Sequence, residues 1–421
     1  MSDTIYALSS GRPPAAIAVM RVSGPGALYT ARALAGRLPE TRRAALRALR
    51  DGEGRLLDRA LVLVFPGPDS ATGEDLVELH LHGGRAVVAV VEQALAALGL
   101  RRAEAGEFTR RALVNGRIDL AQAEGLADLL AAETEAQRVQ AIGAAEGMVS
   151  TLVRGWSERV FALSAEVEAA LDFAEEDDVA VDLGDTGRAV AALRAEIEEV
   201  LARPAAERLR DGLRVVLAGP PNAGKSTLLN LLAGREAAIV SPVAGTTRDV
   251  IEVPVVGEGV AYVLADTAGL VVASADPIEA MGVERARAAA QVADIVVWLG
   301  DDAPPGEAVW VWARADAAGR GEPPEGVDVV TSSTQPGTIA TLWRVIAARA
   351  AGLLPQEDRP SLNERQRALA GEAAAELVSE DDPLLLAERL RQARVLLARV
   401  TGADATEAML DALFGRFCIG K

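Results

Sequence analysis

The stretch GPPNAGKST, Gly219 to Thr227, directly follows the β-like run LRVVLA and opens the helix-like run STLLNLLAG. It has the form G-x-x-x-x-G-K-[ST] in the strand-to-helix setting the motif requires. In such a loop the backbone N–H groups and the helix N-terminus cradle phosphate oxygens. Lys225 then places a compact ammonium on the β and γ oxygens, and Ser226 offers a hydroxyl to Mg²⁺. Asn222, Ala223, Gly224 and Thr227 complete the phosphate-facing set. Lys225 and Lys421 are the only lysines in the chain; arginine serves wherever else a long basic side chain stands. A guanidinium is planar and wide, whereas this pocket takes a point charge on a slim stem. The plainer reading, a glycine loop that merely turns, does not account for the flanking strand and helix.

Working outward, LRVVLAG, YVLADTAG and ADIVVWLG alternate with helical patterns, which predicts a parallel sheet with crossover helices. GTTRD (Gly245 to Asp249) offers Thr247 as a switch residue that completes the Mg²⁺ shell beside Ser226. DTAG (Asp266, Thr267, Ala268, Gly269) ends the next strand, with Asp266 holding the metal through water and the Gly269 N–H sensing the γ-phosphate. In this order after a P-loop the motifs point to GTP. The guanine reader is less regular: where Asn-Lys-x-Asp is usual the chain has WARAD, Trp312 to Asp316. Asp316 can accept from guanine N1 and N2 protons and the Arg314 stem can cover the base, but Ala313 supplies no amide, so weakened guanine selectivity or compensation from elsewhere is expected. TSST (Thr331 to Thr334) stands where the last base-contacting loop belongs, giving Ser332, Ser333 and Thr334 as contacts.

The hydrolytic water needs a holder, because Leu270 stands where Ras-like enzymes carry Gln. Glu279 in DPIEAMG is the nearest plausible carboxylate; a solvated acid at a helix N-terminus is the alternative. No arginine finger stands out, since Arg248 reads equally well as a solvated switch residue. A hard monovalent cation can take its place, ligated by the Asn222 side-chain oxygen and by carbonyls of the loop Ser241, Pro242, Val243, Ala244, Gly245, Thr246 and Thr247.

The rest of the chain is larger than this unit. At 421 residues, 50% hydrophobic and 25% charged, with no apolar run near the ~18 residues of a membrane helix, it reads as a soluble protein of two to four domains. The N-terminus lacks the pattern of a secretory signal and Cys418 is the only cysteine, so the expected compartment is the cytoplasm. A formal charge of -18 argues against a broad nucleic-acid-coating surface but leaves room for a local basic patch or a nucleic-acid-binding partner. Residues 1–117 mix β-like runs with a helix and predict an α+β domain. Residues 118–210 are helical, interrupted near LDFAEEDDVAVDLGDTG; residues 211–352 form the α/β domain; residues 353–421 return to helix. The two helical blocks share a composition, so the α/β domain is expected to be inserted into one split helical domain.

DTIYALSSGRPPAAIAVMRVSGP, EDLVELHLHGG, GEFTRRALVNGRIDLAQAEGLADLL, LDFAEED, the GTPase motifs and the terminal FCIGK together resemble the MnmE (TrmE) family of tRNA-modification GTPases, along the whole chain. The resemblance implies an N-terminal tetrahydrofolate-binding domain that also forms a homodimer, a split helical domain and an inserted Ras-like G domain. It implies G domains activated by potassium-dependent dimerisation, with Asn222, Ser241, Val243 and Thr246 as potassium ligands, and it places the water-orienting glutamate on Glu279. It implies a product made with the flavoprotein MnmG (GidA) in a heterotetramer-type complex: a carboxymethylaminomethyl-type group at C5 of a tRNA wobble uridine. A 5-formyltetrahydrofolate or related folate supplies the one-carbon unit, with Arg21, Glu78, Arg117 and Lys421 as contacts. Departures are ARAD for NKxD, Val271 where many members carry Arg, and a segment before Glu279 one residue longer. Cys418 is a candidate reactive thiol or an incidental one, and His80 and His82 read as structural. A ribosome-assembly switch of the Era or Der type is the alternative; it should carry a basic appended domain, whereas this chain has FCIGK and a folate-like N-terminal domain. A folate binder with a degenerate G domain is the third reading.

Overall fold

The structure, a computed structural model, describes residues 3–177, 183–236, 252–266, 293–356, 358–403, 405–415, 417 and 419–420. Contacts between Cα atoms divide the chain into two compact units. One comprises Met1–Ala127, Ala144–Arg154 and Leu397–Lys421, the other Asp128–Gly143 and Gly155–Leu396.

The first unit opens with β1 (Ile5–Leu8), β2 (Ile17–Ser23), α1 (Ala27–Ala35), β3 (Ala45–Arg50), β4 (Leu56–Phe65), β5 (Leu76–His82), α2 (Arg85–Ala97), β6 (Arg101–Arg102) and α3 (Glu107–Val114). The strands form one sheet in the order β3-β4-β5-β2-β1-β6, antiparallel except for β1 with β6. Alternation along β2 sends Ala18, Met20 and Val22 into a core with Val77, Leu79 and Leu81 of β5, and α1 and α2 cover it with Ala27, Ala31 and Leu34 and with Val88, Val91 and Leu95. The register lines up Leu46, Leu61, His80 and Val19 across four strands on the opposite face, where Leu46 is 58% and Leu61 43% exposed.

Helices follow: α4 (Leu120–Ala131), α5 (Glu135–Ala145), α6 (Met148–Asp177), α7 (Gly184–Ala202) and α8 (Ala206–Arg210). The interruption expected near LDFAEEDDVAVDLGDTG falls inside that stretch: α6 ends at Asp177 and α7 opens at Gly184. In the second unit Trp156 is 1% exposed, and its indole N–H donates to Glu196 Oε1 of α7 at 2.9 Å.

The α/β part of that unit consists of β7 (Leu213–Ala218), α9 (Lys225–Glu236), β8 (Glu252–Gly257), β9 (Val260–Asp266), β10 (Ile295–Trp298), β11 (Val309–Trp312), β12 (Val329–Val330) and α10 (Pro336–Ala350). Its strand order is β12-β11-β10-β7-β9-β8, parallel except for the β8–β9 hairpin. Strand order reverses direction at β7, whose neighbours are β9 and β10, and ligands of such sheets bind beyond the carboxyl ends of the strands at that point. Leu228, Leu229 and Leu232 of α9 and Ile339, Leu342, Trp343 and Ile346 of α10 close the core on the strands. The chain enters and leaves this region side by side: the Ala206 N–H donates to the Leu362 carbonyl at 3.2 Å. Gln137 of α5 donates to the carbonyls of Leu209 and Arg210 at 3.0 and 3.1 Å.

The remaining helices are α11 (Glu364–Glu376), α12 (Pro383–Val400) and α13 (Glu407–Phe414). Asn363 starts α11 with a reciprocal capping box to Gln366. α13 returns to the first unit, where Phe414 joins Phe417, Leu120 and Ala123 in a small core. Beyond it, Ile419 bridges Ala105 and the Gly420 carbonyl accepts from Ser9 Oγ at 2.8 Å. Only glycine fits there: φ of Gly420 is +99°, and a Cβ would lie 2.4 Å from the Leu8 carbonyl oxygen.

Candidate functional site

The second unit holds a cavity of about 760 Å³ at the carboxyl end of β7, lined by the P-loop and by the segments after β11 and β12. Gly219, Asn222, Gly224, Lys225, Ser226 and Thr227 line it from one side, and Arg314, Asp316, Ser332 and Ser333 from the other. Gly219 begins the loop with φ +146°, where a Cβ would come within 2.3 Å of the Leu299 carbonyl. The Lys225 ammonium donates to the carbonyls of Gly219 and Pro220 at 3.1 and 2.9 Å, so it folds back over the loop it serves. Ser226 Oγ donates to Asp266 Oδ2 at 2.7 Å, which joins the first residue of α9 after the lysine to the end of β9.

The base-reading side is anchored to the phosphate side. Arg314 Nη1 donates to the Asn222 carbonyl at 2.9 Å, and both residues have left-handed backbones, with φ of 62° and 61°. Such conformations are strained for residues with a Cβ and cluster at ligand sites. Asp316 Oδ2 accepts from Ser333 Oγ at 2.6 Å and Oδ1 from the Ser333 N–H at 3.4 Å. The Ser333 hydroxyl is the main reason the Asp316 carboxyl titrates below the usual aspartate value. Ala313 is buried. Ala223 packs against the core rather than lining the cavity, and Thr334 bonds to Ser332 Oγ. Sequence reasoning missed the Arg314 bridge to Asn222, which no local motif encodes. Ser241, Pro242, Val243, Ala244, Gly245, Thr246, Thr247, Thr267, Ala268, Gly269 and Glu279 lie outside the described residues.

A second polar site sits in the first unit. Arg21 of β2 faces Glu78 of β5 across the register, with Nη2 and Nε donating to Oε1 at 2.7 and 3.2 Å. His80 Nε2 lies 3.2 Å from Glu78 Oε2. Burial pushes the Glu78 carboxyl up, but the Arg21 bond and charge, with His80, outweigh it and bring it below the ordinary value. Glu78 and Arg117 line one cavity of about 350 Å³ with Arg42, Phe65, Asp69 and Ser70. Arg42 lies over the Phe65 ring at 5.6 Å and Arg117 stands 3.6 Å from Asp69. The geometry thus gathers Arg21, Glu78 and Arg117, and adds Arg42 and Phe65, which no motif in the sequence singles out. Cys418 and Lys421 lie outside the described residues. His82 pairs with Asp58 at 2.7 Å, and among the described residues no group of three or more His, Cys, Asp or Glu side chains is placed to hold a metal.

The family model described as "GTP-binding protein TrmE N-terminus" matches residues 4–117, and the one described as "MnmE helical domain" matches residues 120–418. The chain belongs to the MnmE (TrmE) family. A "tRNA modification GTPase MnmE" of Erythrobacter litoralis is 56% identical over 424 residues, covering all of both chains. One of Sphingopyxis alaskensis is 56% identical over 420 residues, covering 96% of this chain and all of the other. The first of these matches runs the whole length of this chain, across both the P-loop unit and the unit that holds Arg21 and Glu78. No helix among the described residues is long and apolar enough to cross a membrane.

Proposed function

We propose that this chain hydrolyses GTP and couples that hydrolysis to modification of a tRNA wobble uridine, acting in the cytoplasm with the flavoprotein MnmG (GidA). The observation that carries the reading is the Ser226–Asp266 contact beside Lys225 and facing Asp316, in a chain whose whole length matches tRNA-modification GTPases. The domains read from the sequence are a folate-binding and dimerising domain at 1–117, helical parts at 118–210 and 353–421, and a G domain at 211–352; the match at 4–117 supports the first boundary. The adjacent connections at Ala206 and Leu362 suit an insertion.

The residues fit Mg²⁺: Ser226 Oγ and Asp266 Oδ2 are hard oxygen donors already 2.7 Å apart. Ser226 and Thr247 would hold it, with Asp266 behind, and it would neutralise charge developing on the β and γ oxygens. Lys225 leaves the loop carbonyls to meet phosphate, Asp316 takes the guanine N1 and N2 protons, and Glu279 orients the attacking water. Asn222, with Ser241, Val243 and Thr246, would ligate K⁺ in a G-domain dimer. For the folate, Arg21, Arg117 and Lys421 offer positive charge to an anionic tail. The Glu78 carboxylate has about four acceptor positions, of which Arg21 and His80 take three. A pterin presenting paired N–H groups therefore requires one of these three bonds to open. The homodimer reading is supported by the exposed leucines on the sheet face opposite α1 and α2.

GTP hydrolysis by the purified chain in matched KCl and NaCl tests the catalytic half. The expected result is a rate strongly raised by potassium and lost in Glu279→Ala and Asn222→Ala. An equal rate in both salts, unaffected by Glu279→Ala, would refute it.

A further inference from the structure

Residues 32–50 carry six arginines against one acid, Glu40, a net of +5 in a chain of formal charge -18. Arg32 lies in the last turn of α1, Arg37 in the loop that follows, and Arg47 and Arg50 on β3, the edge strand of the sheet. Because α1 packs against β3, these four share one border of the first unit. Arg47 Nε donates to the Arg37 carbonyl at 2.8 Å and Nη1 to the Leu46 carbonyl at 2.9 Å, while Arg50 Nη1 donates to the Gly54 carbonyl at 2.8 Å. These acceptors are neutral, so the guanidinium groups are oriented without being neutralised. None of the four has a carboxylate partner among the described residues, whereas nearby Arg43 pairs with Glu40 and Arg55 with Asp51 and Glu53.

Charged residues on an edge strand also guard against pairing with another sheet. That duty is served by either sign and concerns the strand alone. It explains neither why an acidic chain concentrates positive charge here nor why Arg32 and Arg37, off the strand, belong to the row. Arg47 and Arg50 stand three positions apart on the edge strand, about 10 Å by position and on opposite faces of it; unpaired guanidinium groups dispersed in this way along an edge suit several phosphates better than one compact anion. We propose that the Arg32–Arg37–Arg47–Arg50 border binds the phosphate backbone of the tRNA directly. The proposal rests on the tRNA reading above and adds to it the surface on this chain. Such contacts position a substrate without reading its sequence.

The test is anisotropy of a labelled, unmodified tRNA transcript titrated with the full chain between 50 and 200 mM KCl. The variant combines Arg37→Ala, Arg47→Ala and Arg50→Ala, and a second carries Lys at the same three positions. Three lost phosphate contacts lower the salt slope by about 2.1 to 2.7. Over that fourfold change in salt the wild type should therefore lose roughly 20- to 40-fold more affinity than the alanine variant. The lysine variant should keep most of the slope, and GTP hydrolysis should be unchanged in both. If the triple variant does not fold, Arg50→Ala alone should lower the slope by about 1. An alanine variant that binds tRNA with the wild-type affinity and slope overturns the proposal, and so does a wild type with no salt-dependent binding; the first result would leave the border to an acidic protein surface. The tRNA reading is judged separately, by whether the modified nucleoside forms.

Discussion

Replacing Asp316 with Asn isolates the base-reading contact. The carboxylate is held by Ser333 through a 2.6 Å hydroxyl bond, with its second oxygen 3.4 Å from the Ser333 N–H, so it presents two acceptors to the cavity. Guanine offers two donors, N1–H and the N2 amino group. Asparagine keeps one acceptor and turns an NH₂ toward the guanine amino group. Losing a hydrogen bond to a charged acceptor costs about 1.5–3 kcal/mol, and opposed donors raise the total to roughly 2–4 kcal/mol, a 30- to 700-fold weakening of GTP binding. Xanthine has a carbonyl where guanine has the amino group, so Asp316→Asn should gain xanthosine triphosphate by a comparable factor. Competition against a fluorescent guanine nucleotide measures both. Because Ala313 supplies no amide to purine N7, the wild type should also bind 7-deaza-GTP as well as GTP. Unchanged GTP affinity in Asp316→Asn, with no gain for the xanthine nucleotide, would show that the segment after β11 does not read the base.

Two further outcomes concern stability. A hydrogen bond from Arg101, followed by the charges of Arg101 and Arg111, lowers the Asp3 carboxyl from 3.8 to about 2. A depressed carboxyl stabilises the fold above its unfolded value, and that contribution is lost as pH falls from about 4 towards 2. Thermal midpoints between pH 5 and pH 2 should therefore fall less steeply in Arg101→Gln than in the wild type, and equal slopes would remove the pair from the acid response. Trp156→Ala empties the most voluminous fully buried side-chain site among the described residues and leaves Glu196 without its indole donor. It should cost about 3–5 kcal/mol in chemical denaturation followed by far-ultraviolet dichroism, and a loss below 1 kcal/mol would mean the helices repack freely.

The α/β core was legible because its signals are local. The β7 run, the glycine loop and the leucines of α9 each obey a short period, and the parallel sheet follows from their alternation. Lys225, Ser226, Asp266, Asp316 and Ser333 could be singled out because motif spacing encodes them. Arg314 carrying a bond to Asn222 could not, since the two stand 92 positions apart and meet only when the sheet forms. The same holds for Arg42 and Phe65, brought to Glu78 and Arg117 by strand register rather than by neighbourhood in sequence. The break between α6 and α7 was legible too, because acids, glycine and valine end the helical spacing within LDFAEEDDVAVDLGDTG, where α6 ends at Asp177 and α7 opens at Gly184. The arginine border was visible as composition, but its meaning depends on which partners are carboxylates and which are carbonyls, and only packing supplies that.

The central claim, that GTP hydrolysis at the Lys225–Ser226 loop drives wobble-uridine modification, is tested most directly by nucleoside mass spectrometry. Total tRNA is taken from cells lacking their own MnmE and expressing this chain or its Ser226→Ala variant. The account predicts that the C5 aminomethyl-type uridine returns with the wild type and falls to background with Ser226→Ala at equal protein level. Full restoration by Ser226→Ala, or none by the wild type in the presence of the flavoprotein, would contradict it.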